Sequence, residues 1–168
     1  MGTAGIRIRE GLAEDVAEIA RVHVQSWQEA YRGQVPNEYL DGLTAESRFR
    51  MWERVFESGM HVLVVEDEGR IVGISSFGET DVKGESELWT MYLLKNYWGS
   101  GVSAQLMARV VAPLQSAERQ VVKLWVLSTN TRAIAFYQKN GFVEEGEPKT
   151  IERFGFNLVE SRFCLRLK

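Results

Sequence analysis

Apolar residues recur along the chain with two different spacings, which separate predicted strands from predicted helices. Apolar and charged residues alternate over residues 6–9, and this alternation predicts a strand with one buried face. From Glu14 onward, apolar residues recur every three or four positions as far as Tyr31, which predicts an amphipathic helix. Thr44 is a suitable N-cap for a second helix, whose apolar residues continue to Phe56. The first third of the chain is therefore expected to contain one strand and two helices.

The rest of the chain alternates predicted strands with predicted helices. Short apolar runs bounded by turn residues predict strands at 61–65, 70–77, 88–94, 121–127, 142–145 and 163–167. Longer segments with helical spacing predict helices at 102–117 and 130–140, and Gly141 is a natural residue to end the second of them. About seven strands and four helices in this order predict a single α/β domain over residues 1–168, built on a mixed sheet.

Composition and charge narrow the classes of function. The net charge of −3 argues against a general nucleic-acid binder, because affinity for phosphate backbones comes from basic patches. No apolar run reaches the roughly 18 residues that a membrane-spanning helix needs, and the N-terminus lacks the apolar core of a signal peptide. The single cysteine, Cys164, cannot form an internal disulfide, so a cytoplasmic protein is expected. Two histidines and one cysteine without metal-ligand spacing predict no metal site.

A glycine-containing turn, Gly99-Ser100-Gly101, lies between a predicted strand and a predicted helix. A helix N-terminus leaves backbone N–H groups unpaired and carries a partial positive charge, so it favours an anion. Glycines there let the backbone approach that anion closely, although a plain structural turn has the same sequence. A glycine-containing turn between a strand and a helix is also found in dinucleotide-binding sites. Such a site needs a carboxylate at the end of the next strand to hold the ribose, and residues 125–128 contain none. The dinucleotide alternative is therefore excluded.

A second motif follows the strand predicted at 121–127. Its residues are Asn130-Thr131-Arg132-Ala133-Ile134-Ala135-Phe136-Tyr137, followed by Gly141-Phe142. With the glycine turn, this motif resembles the GNAT superfamily of N-acetyltransferases, whose pattern is Asn-x-x-Ala-x-x-Phe-Tyr followed by Gly-Phe. The resemblance covers nearly the whole chain. Two residues depart from the family's first motif: Trp98 stands where arginine or glutamine is usual, and Ser103 stands where glycine or alanine is usual.

The resemblance implies a fold and an activity. The fold is a central, mostly antiparallel mixed sheet with a splayed parallel pair in its middle. The activity is transfer of an acetyl group from acetyl-CoA to a primary amine by direct attack on the thioester, with a small-molecule amine favoured over a peptide. Two alternatives stay open: a non-catalytic module that binds acyl-CoA, and an enzyme that acetylates the N-termini of peptides or proteins. The resemblance also leaves a homodimer open.

The resemblance further implies roles for individual residues. Tyr137 aligns with a tyrosine that donates a proton to the leaving thiolate, and Glu87 is the candidate base, with Glu85 as a nearby alternative. Trp27 and Tyr31 would line the acceptor cleft. The residues implied to contact the cofactor are Tyr92, Leu93, Trp98, Gly99, Ser100, Gly101, Val102, Ser103, Asn130, Phe136 and Tyr137, with the N–H of Leu93 facing the thioester carbonyl. Structural alternatives to these roles stay open. The aromatic residues Trp27, Tyr31 and Tyr137 could pack in the core, and Glu87 could be a solvated residue at the edge of a strand.

Overall fold

The computed structural model describes residues 5–153 and 155–168, and these residues form five α-helices and one sheet of eight strands. The helices are α1 (Val16–Tyr31), α2 (Asn37–Asp41), α3 (Ala45–Glu57), α4 (Val102–Ser116) and α5 (Thr131–Lys139). The strands are β1 (Ile6–Glu10), β2 (His61–Asp67), β3 (Arg70–Glu79), β4 (Glu85–Leu93), β5 (Val121–Leu127), β6 (Val143–Glu144), β7 (Lys149–Arg153) and β8 (Phe156–Arg166).

The sheet is mostly antiparallel with one parallel pair at its centre. Its order is β1-β2-β3-β4-β5-β8-β6, and β7 pairs with β8 beside β6. Strands β4 and β5 run parallel, but they pair only where Glu85–Glu87 lie beside Val121–Lys123. The register between β3 and β4 shifts at Trp89, so that this residue forms a bulge, and bulges bend a strand away from its neighbours. The mixed sheet and its parallel pair are confirmed.

Helices cover both faces of the sheet because its central strands are apolar on both sides. Alternate residues of a strand point to opposite faces. In β2, Val62 and Val64 pack in one cluster with α1 and α3, whereas Leu63 and Val65 pack in another with α4. The partly buried apolar residues of α5 join the cluster on the α4 side. The sheet therefore lies between α1 and α3 on one face and α4 and α5 on the other.

Three element predictions need correction. The sheet has eight strands rather than seven, because the mostly polar segment Lys149–Arg153 forms β7 and contains no continuous apolar pattern. Strand β8 begins at Phe156 rather than at residue 163, since β7 pairs with its first half. Helix α2 was not predicted, because its five residues are too few to show a helical period.

His23 belongs to the core rather than to a site. The indole N–H of Trp52 donates a hydrogen bond to His23 Nδ1 at 3.0 Å. Burial lowers the pKa of His23 to about 3, so the imidazole is neutral at physiological pH. His23 is therefore a buried, hydrogen-bonded residue of the core. Across the described ranges, none of the helices is long and apolar enough to cross a membrane.

Candidate active site

A cavity of about 960 Å³ lies where β4 and β5 separate, and residues from both faces of the sheet line it. On one side its walls come from α1 and the α1-facing residues of β4 and β5, such as Tyr92 and Leu127. On the other side they come from the loop after β4 and from α5, such as Trp98 and Tyr137. The cavity therefore connects the two faces of the sheet through the gap between its parallel strands.

The glycine turn forms one end of this cavity. Gly99 and Gly101 have φ angles of 73° and 87°, a left-handed conformation that favours glycine. Gly101 is the N-cap of α4 and lines the cavity together with Gly99, Ser103 and Ala104. No heavy atom lies within 4 Å of where a Cβ would be on either glycine, considering the part of the chain that the structure describes. The turn thus presents an open backbone surface at the start of a 15-residue helix.

Two predicted contact residues of this turn do not line the cavity. The hydroxyl of Ser100 points back and donates to the Tyr97 carbonyl oxygen at 2.6 Å. The side chain of Val102 is fully buried and packs in the core beneath α4. Their backbone N–H groups have internal partners as well, because the N–H of Ser100 donates to the Tyr97 carbonyl oxygen and that of Val102 to the Ser100 hydroxyl, both at 3.4 Å.

The backbone of Leu93 faces the gap between β4 and β5. The N–H of Leu94 donates to the Val72 carbonyl oxygen on β3 at 2.9 Å. Neighbouring N–H groups of a strand point to opposite edges, so the N–H of Leu93 points away from β3 and into the gap. The carbonyl oxygen of Leu93 accepts a hydrogen bond from the indole N–H of Trp98 at 2.8 Å. The N–H donor of Leu93 therefore faces the gap, and the Leu93 carbonyl oxygen beside it already accepts a hydrogen bond from Trp98.

Trp98 also contacts Arg132, which the sequence did not indicate as a site residue. The guanidinium carbon of Arg132 lies 3.6 Å from the centroid of the Trp98 ring, and both side chains line the cavity. The motif that contains Arg132 was recognised, but Arg132 stands at one of its variable positions. No sequence pattern indicates that this variable position stacks on Trp98.

Three tyrosines meet at the middle of the cavity: Tyr31, Tyr92 and Tyr137. Burial raises the pKa of each phenol, and the neighbouring phenols raise that of Tyr31 and Tyr137 further. The Tyr137 ring packs edge-on against Phe136 and Phe142, with centroids 5.5 and 5.7 Å apart. All three phenols are therefore neutral at physiological pH, and each retains a proton to donate.

Asn130 is placed by the start of α5. Its Oδ1 accepts a hydrogen bond from the N–H of Ala133 at 3.2 Å, so Asn130 is the N-cap of α5. The residue is buried and lines the cavity beside Phe136.

The two candidate bases differ in their surroundings. Glu85 forms an ion pair with Lys123 at 2.6 Å and does not line the cavity. Glu87 is half-buried in the cavity wall, and within the described residues it forms no ion pair. Burial raises the pKa of Glu87. Nearby Lys149 lowers this pKa by a smaller amount, and Glu85 and Glu160 raise it further. Of the two candidate bases, Glu87 is therefore the one that a ligand in the cavity can reach.

Aromatic residues enclose the α1 side of the cavity. Trp27 and Tyr31 are both buried and pack edge to face, with ring centroids 4.7 Å apart. The structure adds Trp125, whose ring lies 3.5 Å from Lys149 Nζ, and Lys149 pairs with Glu160 at 3.6 Å. Trp125 could have been found from strand alternation, because Leu124 and Val126 face the opposite cluster. Lys149 and Glu160 lie on strand segments that the sequence did not reveal.

Among residues 5–153 and 155–168, no three His, Cys, Asp or Glu side chains lie close enough together to hold a metal ion.

Comparison with known proteins identifies the family. Residues 24–142 match the model of the Acetyltransferase (GNAT) family. The uncharacterized N-acetyltransferase YuaI of Bacillus subtilis is 32% identical over 137 residues, which are 79% of this chain and 78% of YuaI. The structure of the PaiA N-acetyltransferase of Thermoplasma acidophilum in complex with coenzyme A has a TM-score of 0.76 at 19% identity, covering 96% of this chain and 98% of that one. The YncA acetyltransferase of Salmonella typhimurium with acetyl-CoA has a TM-score of 0.73 at 22% identity, covering 98% and 95%. The chain therefore belongs to the GNAT family of acetyltransferases and is an acyltransferase.

Proposed function

We propose that this protein transfers the acetyl group of acetyl-CoA to a primary amine of a small molecule. The observation that carries the proposal is the cavity through the sheet, which joins an anion-favouring helix end on one face to an aromatic chamber on the other. In the reaction the amine nitrogen forms a bond to the acetyl carbon, and the bond from that carbon to sulfur breaks. The amine loses a proton and the thiolate gains one, so atoms and charge balance.

The residues of the α4 side fit a coenzyme A thioester. The exposed N–H groups at the start of α4 suit a phosphate, and the left-handed glycines keep that surface open. Asn130, Phe136 and Leu93 line the same cavity and would border the thiol-bearing arm. The named structures of PaiA and YncA contain coenzyme A and acetyl-CoA. Acetyl-CoA would supply the activated thioester.

Three groups around the gap account for the chemical step. The N–H of Leu93 points into the gap and can donate to the oxyanion that develops on the acetyl carbonyl. The neutral phenol of Tyr137 can donate a proton to the sulfur as it leaves. Glu87, on the α1 side, can accept the proton that the amine loses, directly or through water, and its raised pKa improves it as a base.

The shape of the α1 side favours a small acceptor. Trp27 and Tyr31 are less than 10% exposed and wall the chamber, and α2 packs against them through Leu40. Aromatic faces attract amines and their cations, and Glu87 adds a negative charge nearby. A closed, aromatic chamber suits a compact amine better than an extended polypeptide.

A thiol-release assay with a panel of amines tests the proposal. The panel contains small aliphatic and aromatic amines, amino acids, and short peptides with free N-termini, each at saturating acetyl-CoA. We expect turnover with small amines and little with peptides. Tight binding of coenzyme A without turnover for any amine would support a non-catalytic binding module instead, and turnover with peptides alone would support the N-terminal acetyltransferase.

A further inference from the structure

The stacked pair of Trp98 and Arg132 lies on the face of the sheet where α4 and α5 begin. The hydrogen bond from the Trp98 indole to Leu93 ties the ring to the end of β4. The guanidinium of Arg132 lies 3.6 Å from the centroid of that ring. A guanidinium stacked on an aromatic face keeps the N–H groups around its edge free to donate. Trp98 therefore acts as a platform that orients Arg132.

The charge of Arg132 is not neutralised within the described part of the protein. Neither an ion pair nor a hydrogen bond joins its guanidinium to another described side chain. Partial burial removes water from it and lowers its pKa. Arg132 also stands in the first turn of α5, where the positive end of the helix disfavours a cation. Arg132 is nevertheless exposed, so a cation in such a place is accessible to an anion and favours its binding.

The helix ends around Arg132 add to the same positive potential. Neither α4 nor α5 has an acidic residue in its first turn. Gly101, Ser103 and Ala104 at the start of α4 line the same cavity as Arg132. Two helix N-termini and an unpaired guanidinium thus meet at one end of a cavity in a protein whose net charge is −3. A diphosphate matches this arrangement, because one phosphoryl group can meet the amides of α4 and the other can meet Arg132.

We propose that Arg132, oriented by Trp98, binds the pyrophosphate of the acyl-CoA donor together with the N-terminus of α4. The proposal rests on the proposed function. It also gives a reason for tryptophan at position 98, where the family usually carries arginine or glutamine. Here the polar group comes from α5, and Trp98 contributes the surface on which it rests.

Calorimetric binding measurements with three probes test the role of Arg132. The probes are coenzyme A, dephospho-coenzyme A, which lacks only the 3′-phosphate, and pantetheine, which lacks the adenosine and the pyrophosphate as well. We expect Arg132→Ala to weaken the binding of the first two equally, by about 10- to 100-fold, and to leave pantetheine binding unchanged. The affinity of Arg132→Lys for coenzyme A should lie between those of the wild type and Arg132→Ala, because a lysine keeps the charge but lacks the planar guanidinium. Arg109→Ala is the matched control, since Arg109 is exposed on α4 outside the cavity.

A double-mutant cycle tests the platform. Trp98→Phe keeps an aromatic face beneath Arg132 but loses the hydrogen bond to Leu93, so it should weaken coenzyme A binding less than Trp98→Leu does. Trp98→Leu removes the face and should weaken binding. In the Arg132→Ala background, Trp98→Leu should reduce the affinity for coenzyme A only slightly further, because the arginine that Trp98 positions is already absent.

Each other outcome overturns the inference in a recognisable way. Equal affinities of Arg132→Ala and Arg109→Ala would show that Arg132 does not contact the donor. A loss for coenzyme A but not for dephospho-coenzyme A would move the contact to the 3′-phosphate. An equal loss for pantetheine would show that the substitution distorts the cavity. Failure of the proposed function is distinct, because then the wild type would turn over no small amine in the thiol-release assay, whether or not it binds coenzyme A.

Discussion

Replacing Tyr137 by phenylalanine removes one hydroxyl from the middle of the cavity and leaves the ring in place. The ring contacts with Phe136 and Phe142 do not involve the oxygen. That oxygen has no hydrogen-bond partner among the described side chains, so its removal breaks no bond within them. The free energy of unfolding should therefore change by less than about 1 kcal/mol.

The same substitution should lower turnover strongly if Tyr137 protonates the leaving sulfur. General acid catalysis typically contributes about 10²- to 10⁴-fold, so kcat should fall by a factor in that range while the dissociation constant for coenzyme A stays the same. The assay is thiol release with the best amine of the panel, combined with calorimetric binding of coenzyme A. Because burial raises the pKa of Tyr137, the wild-type rate should show no loss from its deprotonation below about pH 10.

Tyr97→Phe is the matched control for this experiment. The hydroxyl of Tyr97 donates a hydrogen bond to Asp67 at 2.7 Å, and neither residue lines the cavity. This variant therefore loses a hydrogen bond outside the cavity. Its melting temperature should be slightly lower than that of the wild type, and its kcat should be unchanged. An unchanged kcat in Tyr137→Phe would refute the acid role and make Tyr137 a packing residue. A parallel loss of coenzyme A binding would refute it equally.

Three further substitutions test other parts of the structure. Glu87→Gln should lower kcat and abolish the fall in rate at low pH. The wild-type carboxylate stops acting as a base as the pH falls through its raised pKa, which lies above 4.5. A pH profile of the variant that matches the wild type would contradict this role. Gly73→Ala should lower the free energy of unfolding by about 1–3 kcal/mol in a denaturant titration, since its Cβ would overlap the side chain of Leu93. Asp15→Asn should destabilise the protein by about 1–3 kcal/mol at neutral pH, because Arg9 donates two hydrogen bonds to this carboxylate. Since the folded pKa of Asp15 is lowered, its stabilisation is complete above the ordinary value of 3.8 and lost as the pH falls through the folded value, so both proteins should melt alike in strong acid.

The parts of the fold that follow a simple period could be predicted from the sequence. Helix α4 and strand β5 have the predicted starts, at residues 102 and 121, because each has one buried apolar face. Strand β7 could not be predicted. It pairs through its backbone with β8, and the backbone leaves no pattern in a sequence such as Lys-Thr-Ile-Glu-Arg.

The candidate site divides in the same way. Residues of the two motifs were named because their spacing within one segment is visible, and most of them do line one cavity. The pairing of Trp98 with Arg132 joins positions 34 residues apart in sequence, and neither residue type suggests the other. The choice between Glu85 and Glu87 likewise depended on Lys123, which a neighbouring strand brings to the first of them.

The separation of β4 from β5 places two unpaired strand edges inside the molecule. Exposed edges usually sit at the rim of a sheet, where they can recruit a strand of another chain and start aggregation. In this protein the two edges face each other, with α1 above the gap and α4 and α5 below it. A slender, extended molecule can reach those backbone groups, whereas a second sheet cannot. The fold thus keeps the hydrogen-bonding capacity of a free edge without the risk of self-association that an outer edge carries.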